Sequence, residues 1–167
     1  FLDGSWLLII FAGNDTTRNT MSGGIKLLHE NQKQKKLLMQ SSELLPNFIH
    51  ETIRCVSPVI HMRRTSLEET EIGGQRIGPF EKISLWYGAA NRDPDIFENP
   101  NEFNILRENA DKHLAFGIGR HTCLGKPIAL MQLKEFYSQF LTRFKDFELN
   151  GEWKVAPNNF VHAIQEM

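Results

Sequence analysis

The sequence predicts a mainly α-helical protein with small β-sheets, an α+β fold in which long helices come before and after a group of short strands. Three observations carry this. Apolar positions Leu8, Phe11, Ala12, Met21, Ile25 and Leu28 recur at three- and four-residue steps through a stretch that only glycines interrupt. Short strand-like runs flank the pair Gly73-Gly74. A second patterned helix runs through Ile128, Leu130, Met131, Leu133, Phe136, Phe140 and Leu141.

Taken in order, Leu2 to about Glu30 reads as one long helix and Gln32 to Met39 as a short lysine-rich one. Ser41 or Ser42 is expected to cap a third helix, which Pro46 opens and Pro58 closes and which carries Glu51 and Arg54. Glu68 to Ile77 reads as two strands around the glycine pair, and Lys82 to Tyr87 as another. Asn91 to Phe116 holds Asp-Pro and Asn-Pro turns with little periodicity, a long irregular loop of the kind that is usually functional or disordered. Asp146 to Leu149 and Phe160 to Ile164 are expected as terminal strands. Neither an internal repeat nor a low-complexity tract is present.

The 167 residues, 41% hydrophobic and 23% charged, suit one globular domain or a large piece of one. A formal charge of -1 offers no basic excess for nucleic acid or an anionic membrane, so neither is expected as a partner. Phe1 to Phe11 lacks the basic start and small-residue cleavage site of a signal peptide. Its apolar run meets Asn14, Asp15 and Arg18 well short of the ~20 residues a membrane span needs, so a buried helix is expected. Two cysteines, Cys55 and Cys123, make no disulfide framework, and a cytoplasmic location is the expectation.

Residues 116–125 read Phe-Gly-Ile-Gly-Arg-His-Thr-Cys-Leu-Gly. Gly117, Gly119 and Gly125 allow backbone conformations closed to other residues and a close approach to a flat ligand. Cys123 is expected at the entrance of the following helix, where backbone N–H groups and the helix dipole favour a thiolate. Zinc fits poorly, since it wants about four ligands and only His121 lies near in sequence. A cysteine nucleophile would need a distant base among His29, His50, His61, His113 and His162. A buried cysteine capping a helix is the plainer alternative, and these residues alone leave it open.

The ten-residue string resembles the haem-binding signature of cytochromes P-450, Phe-x-x-Gly-x-x-x-Cys-x-Gly, through Phe116, Gly119, Cys123 and Gly125. The resemblance implies haem b with Cys123 as the metal ligand, its thiolate pushing electron density onto iron. It also implies Phe116 beside the sulfur, Gly117 and Gly125 against the cofactor, and His121 at a haem propionate.

Other segments resemble the family in the same order. Ala12-Gly13-Asn14-Asp15-Thr16-Thr17 resembles the distal oxygen-activation segment, implying Asp15 as proton relay and Thr16 as oxygen-side donor, a role Thr17 could share. Gly13 and a Thr16 back-bond are expected to open the helix ladder there and admit water. Glu51 and Arg54 match Glu-x-x-Arg, a spacing that puts both on one helix face. Such a pair is usually solvated and weak, but the resemblance implies burial and a third member, Arg107, supporting the cysteine loop. In Val59 to Thr65 it implies a strand at the haem edge, with Arg64 binding a propionate through its planar fork and Arg63 facing the other side. Substrate-pocket walls carried over in this way are Ile9, Ala12 and Gly13, then Val59, Ile60 and Met62, then Phe160 with Val161.

Gly-Asn-Asp-Thr-Thr-Arg-Asn, His-Met-Arg-Arg-Thr and Ala-Asn-Arg-Asp look similar to bacterial alkane and fatty-acid terminal hydroxylases, while Phe103 to Arg107 resembles sterol-side-chain and branched-lipid oxidases. The implied activity is a monooxygenase that inserts one oxygen atom of O2 into a C–H bond of a long apolar small molecule. Ferredoxin and ferredoxin reductase would supply electrons, with Lys112, Arg120 and Lys126 as a docking patch. Residues 1–167 are expected to form the C-terminal haem-binding portion of a single domain whose N-terminal portion is absent. By itself the chain is expected neither to hold haem stably nor to turn over substrate, and an inactive fragment is the alternative to a working enzyme.

Overall fold

The computed structural model describes residues 2–166; Phe1, the first residue of the N-terminal apolar run, and Met167 lie outside the described residues. Helix α1 (Leu2–Glu30) is unbroken. Thr16 Oγ1 donates to Ala12 O and Thr20 Oγ1 to Thr16 O, each at 2.7 Å. The expected opening of the ladder at Gly13 does not interrupt the helix: a hydroxyl bonding back to a carbonyl can share it with the backbone N–H. Helix α2 (Gln32–Gln40) is tied down by Lys35, whose Nζ donates to Phe147 O at 2.9 Å and lies over the Phe147 ring.

Helix α3 (Leu45–Val56) follows a 3-10 turn over Ser42–Leu44. Neither Ser41 nor Ser42 caps it through its side chain, because the extra turn puts Leu44 at the cap position. Pro46 sits in the first turn, where its missing N–H would have no partner anyway. Ser57, at φ 43°, and then Pro58 end the helix.

Strand β1 (His61–Thr65) pairs antiparallel with β4 (Lys82–Trp86), while β2 (Thr70–Ile72) and β3 (Gln75–Ile77) form a hairpin between them. Gly73 and Gly74, at φ 57° and 78°, supply the two positive φ values that a tight hairpin turn asks for. The strand expected to reach Tyr87 stops at Trp86, since Tyr87 opens the single-turn helix α4 (Tyr87–Ala90). Residues 91–116 are irregular except for a 3-10 turn over Ala110–Lys112, and α5 (Lys126–Arg143) follows the cysteine loop.

Two terminal strands are misplaced by the sequence. Asp146 to Leu149 is no strand: Phe147 packs edge-on against Phe140, and Asp146 sits 3.4 Å from Lys35 Nζ, so packing claims the segment. Of Phe160 to Ile164, Val161 makes an isolated bridge with Val59 and Ile164 alone belongs to a regular strand, β6 (Ile164–Glu166), which pairs with β5 (Lys154–Val155). Asn158 Oδ1 accepts the N–H groups of Phe160 and Val161, which a longer ladder would have needed.

Helices α1, α3 and α5 enclose a core around Leu28, Phe48, Ile53, Leu133 and Tyr137. Phe48 meets Tyr137 edge-on at 4.8 Å, and the Tyr137 hydroxyl donates to Thr20 O at 2.8 Å. Gly24 permits this approach, since a Cβ there would lie 2.0 Å from Tyr137 Oη. The first turns of α1 differ. Leu2 and Trp6 through Phe11 are 46–71% exposed around the whole helix, although an all-round apolar helix is normally a buried one.

Candidate functional site

The loop of residues 116–125 is a set of short closures. Phe116 O accepts the Cys123 N–H at 2.8 Å, Leu114 O accepts the Gly117 N–H at 2.8 Å, and Gly119 O accepts both the N–H and the hydroxyl of Thr122. Gly117 and Gly119 adopt φ 70° and 71°, and a Cβ at Gly117 would press within 3.4 Å of His121 O. Helix α5 begins at Lys126 with Gly125 at its cap, so Cys123 stands before the helix rather than at its entrance, its carbonyl accepting the Lys126 N–H at 3.3 Å. The Cys123 thiol is exposed, with Ile118 and Leu124 exposed beside it in the loop. The other cysteine differs: burial and the nearby Glu51 push the Cys55 thiol up to about 11, which suits it to neither ligation nor nucleophilic attack at neutral pH.

Beneath the loop lies a buried ion network. Glu51 and Arg54 are 0% exposed and Arg107 8%. The Glu51 carboxylate accepts from Arg54 at 2.7 and 2.8 Å, from Arg107 Nε at 3.2 Å and from the Asn104 N–H at 2.9 Å. Burial, the largest single influence, would lower the Arg54 pKa, but the bond to Glu51 together with the charges of Cys55 and Glu51 raises it. The remaining guanidinium N–H groups go mainly to backbone, Arg54 to the Asn91, Pro100 and Glu102 carbonyls and Arg107 to those of Glu98, Asn99 and Glu102, while Arg54 also donates to Cys55 Sγ at 3.3 Å. One carboxylate on α3 thereby pins the irregular loop that leads into the cysteine turn.

Asn91, which the sequence did not single out as a site residue, adds to this. Its Oδ1 accepts the Leu114 N–H at 2.7 Å, and its Nδ2 donates to Ser57 Oγ at 2.8 Å. Arg92 donates to Cys55 O at 2.7 Å. Their only sequence signal is the Ala-Asn-Arg-Asp string, which says nothing of partners more than twenty residues away.

The remaining candidates divide. Asp15 is half-buried on α1 and pairs with Arg18 at 3.1 Å, and the Thr16 hydroxyl beside it is held by Ala12 O. Arg64 is half-buried on β1 while Arg63 is exposed; Arg64 bonds Arg63 O and has no carboxylate partner among the described residues. His121 is exposed in a 3-10 turn over Gly119–His121. Three wall segments meet: the Ile60 N–H donates to Phe160 O at 2.8 Å, Val59 bridges Val161, and the Phe160 ring stacks on Phe11 of α1. Met62 lies on β1 opposite Leu85. Ile9, Ala12 and Gly13 are exposed on α1. A groove between α1 and α5 includes Gly13 and none of the other seven wall residues.

These residues suit an iron porphyrin. The exposed thiol is a metal donor, two left-handed glycines keep side-chain bulk away from the turn that presents it, and Arg64 is a guanidinium without a counter-carboxylate among the described residues. Among the described residues no group of three or more His, Cys, Asp or Glu could hold a metal ion, so Cys123 fits a metal that brings most of its own ligands.

The cytochrome P450 family model matches residues 37–161. The chain is 39% identical over 164 residues to linalool 8-monooxygenase of Pseudomonas putida, covering 98% of this chain and 40% of that protein. It is 38% identical to steroid C26-monooxygenase of Mycobacterium tuberculosis strain H37Rv, covering 96% of this chain and 41% of that one. Among solved structures, cytochrome P450-153 from Novosphingobium aromaticivorans superposes with a TM-score of 0.92 at 42% identity, over 98% of this chain and 41% of that one. P450BioI, solved with an acyl carrier protein bearing hexadec-9Z-enoic acid, also gives 0.92, at 34% identity over 95% of this chain and 41% of that one. The chain thus spans about two fifths of the length of the relatives it matches. With the family model matching most of its length, the chain belongs to the cytochrome P450 family, whose members bind haem b.

Proposed function

We propose that residues 1–167 form the C-terminal, thiolate-bearing portion of a single-domain monooxygenase that hydroxylates a long apolar substrate, with terminal hydroxylation of an alkane or fatty acid favoured. The observation that carries this is the exposed Cys123 thiol, held by a glycine-turned loop on a buried ion network. Haem, when bound, supplies the iron that activates O2 so that one oxygen atom enters the substrate. The chain's own groups do the rest. Cys123 ligates the metal, Phe116, Gly117 and Gly125 pack at the thiolate side, and Arg64 and His121 bind the propionates. Thr16, expected as the oxygen-side donor, gives its single hydroxyl proton to Ala12 O, so it serves instead as an acceptor for a water, to which Asp15 relays protons.

Phe160, Val161, Val59, Ile60 and Met62, with Ile9, Ala12 and Gly13 of α1, form the apolar wall that takes an alkyl chain and excludes water. The likeness to P450BioI, solved with an acyl carrier protein bearing hexadec-9Z-enoic acid, favours a linear chain. Likeness to the steroid C26-monooxygenases supports sterol side chains as the second reading. Exposed Lys112 and Arg120, with Lys126, suit an acidic ferredoxin served by its reductase. We place the enzyme in the cytoplasm, consistent with the lack, among the described residues, of a helix long and apolar enough to cross a membrane.

The chain alone is proposed to be inactive, because the exposed apolar turns of α1 leave the cofactor side uncovered. The test is the reduced carbon-monoxide spectrum of a haem-loaded protein containing this chain, with Cys123→Ser beside it, followed by product analysis on alkanes, fatty acids and sterols. A thiolate-type band that Cys123→Ser abolishes, with terminal alcohols as products, is expected; an unchanged band in the variant refutes the assignment. A monomeric 167-residue product with a thiolate-type band would refute the inactivity of the isolated chain.

A further inference from the structure

We propose that His50 and His113 form a neutral imidazole pair that holds the entry to the cysteine loop, making His113 a positioning residue for the Cys123 thiolate. The proposal rests on the reading of Cys123 as the haem ligand. His50 lies on α3 and His113 just after the 3-10 turn that ends the irregular loop. The two rings tilt together with His50 Nδ1 3.3 Å from His113 Nε2. On its other side, His113 Nδ1 accepts the Ala115 N–H at 3.3 Å, and its ring meets Phe116 at 5.6 Å. Phe116 is the residue whose carbonyl accepts the Cys123 N–H. Four links therefore run from α3 to the metal ligand.

The arrangement admits one distribution of protons. A backbone amide can only donate, so His113 Nδ1 must be bare and a neutral His113 carries its proton on Nε2. That proton faces His50 Nδ1, which must then be bare, leaving the His50 proton on Nε2. Protonating His113 sets an N–H against the Ala115 N–H, and protonating His50 sets one against the His113 N–H. The surroundings resist both events: His113 is buried, Lys126 on α5 opposes added positive charge on either ring and Arg54 on α3 opposes it on His113, while Asp111 on the 3-10 turn favours it. Burial, followed by His50 and Lys126, holds His113 down at about 3, and burial also lowers His50. Lys126 additionally sits 5.6 Å over the Phe116 ring, so a cation that adds to burial in disfavouring charge on the pair also packs on the residue the pair positions.

Asparagine and glutamine separate this role from simple packing, because Asn Oδ1 falls about where imidazole Nδ1 sits and the Gln amide reaches towards Nε2. In the haem-loaded protein, the thiolate-type band of the reduced carbon-monoxide complex is followed from neutral to acid pH. His113→Asn keeps the acceptor for Ala115, so it should retain the band at neutral pH and lose it at a lower pH than wild type. His113→Gln and His113→Phe lack that acceptor and should lose most of the band already at neutral pH. Long-range proton–nitrogen NMR of the same diamagnetic complex should show His113 protonated on Nε2 alone. Equal behaviour of the Asn and Gln variants, or a His113 proton on Nδ1, overturns the proposal. A wild type without a thiolate-type band refutes the reading of Cys123 and this inference with it.

Discussion

Replacing Glu51 by alanine removes the one carboxylate shared by two buried guanidinium groups. The side chain accepts two bonds from Arg54, one from Arg107 and one from the Asn104 N–H, and neither Glu51 nor Arg54 is reached by solvent. Without it, two cations stay buried with only carbonyls and the Cys55 sulfur as partners, and breaking a buried pair in this way costs ~3–5 kcal/mol. The backbone Asn104 N–H loses its acceptor as well. Arg18, spaced from Asp15 as Arg54 is from Glu51, is the contrast: its side chain is 61% exposed, and such solvated helix pairs are worth ~0.3–0.5 kcal/mol. Urea unfolding followed by circular dichroism separates the two. At a typical dependence of ~2 kcal/mol per molar urea, Glu51→Ala should lower the midpoint by ~1.5–2.5 M, whereas Arg18→Ala should barely move it. Equal midpoint shifts in the two variants would refute the claim that burial makes this network matter.

Gly24→Ala drives a methyl group into the Tyr137 hydroxyl and should destabilise by ~1–3 kcal/mol in thermal unfolding; adding Tyr137→Phe should recover part of that loss, a non-additivity read from the double mutant. Tyr137→Phe alone removes the bond to Thr20 O and should cost ~1 kcal/mol. His113 titrates at about 3 when folded, against 6.5 ordinarily, so between these values the unfolded chain binds a proton that the folded chain refuses. Stability should therefore be fully present above pH 6.5 and fall as pH drops towards 3, by up to ~1.4 kcal/mol per unit from this group, a slope that His113→Phe should flatten in acid unfolding curves. Arg64→Ala should speed haem loss to an acceptor globin while leaving urea stability of the haem-free chain unchanged.

Much of the fold could be read from local pattern. Helix α1 runs from Leu2 to Glu30 as its three- and four-residue spacing indicates, the Gly73-Gly74 turn joins two strands, and α5 follows the cysteine loop. Failures fall where distant partners decide. Asp146 to Leu149 has the residues of a strand, yet Lys35 and Phe140 hold it. Asn158 withdraws two N–H groups from the strand expected at Phe160 to Ile164. Ser41 and Ser42 look like caps, but an added 3-10 turn moves the cap position past both.

For the site, the ten-residue string from Phe116 to Gly125 singled out Cys123 as the proposed ligand without any structure, because residue type, glycine positions and spacing are local properties of the chain. The sequence also paired Glu51 with Arg54, since a three-residue step on a helix brings them to one face. The spacing by itself could not establish that the pair is buried, which only the resemblance implied, and nothing local indicated that Asn91, His50 and His113 hold the segment entering the cysteine loop. Burial and long-range hydrogen bonding depend on which segments the core brings together, and α3 meets residues 91–115 only once the chain has closed. Sequence alone singled out Cys123 and its turn; tertiary structure decided what holds that turn still, because a buried charge or imidazole takes its meaning from neighbours that are remote along the chain.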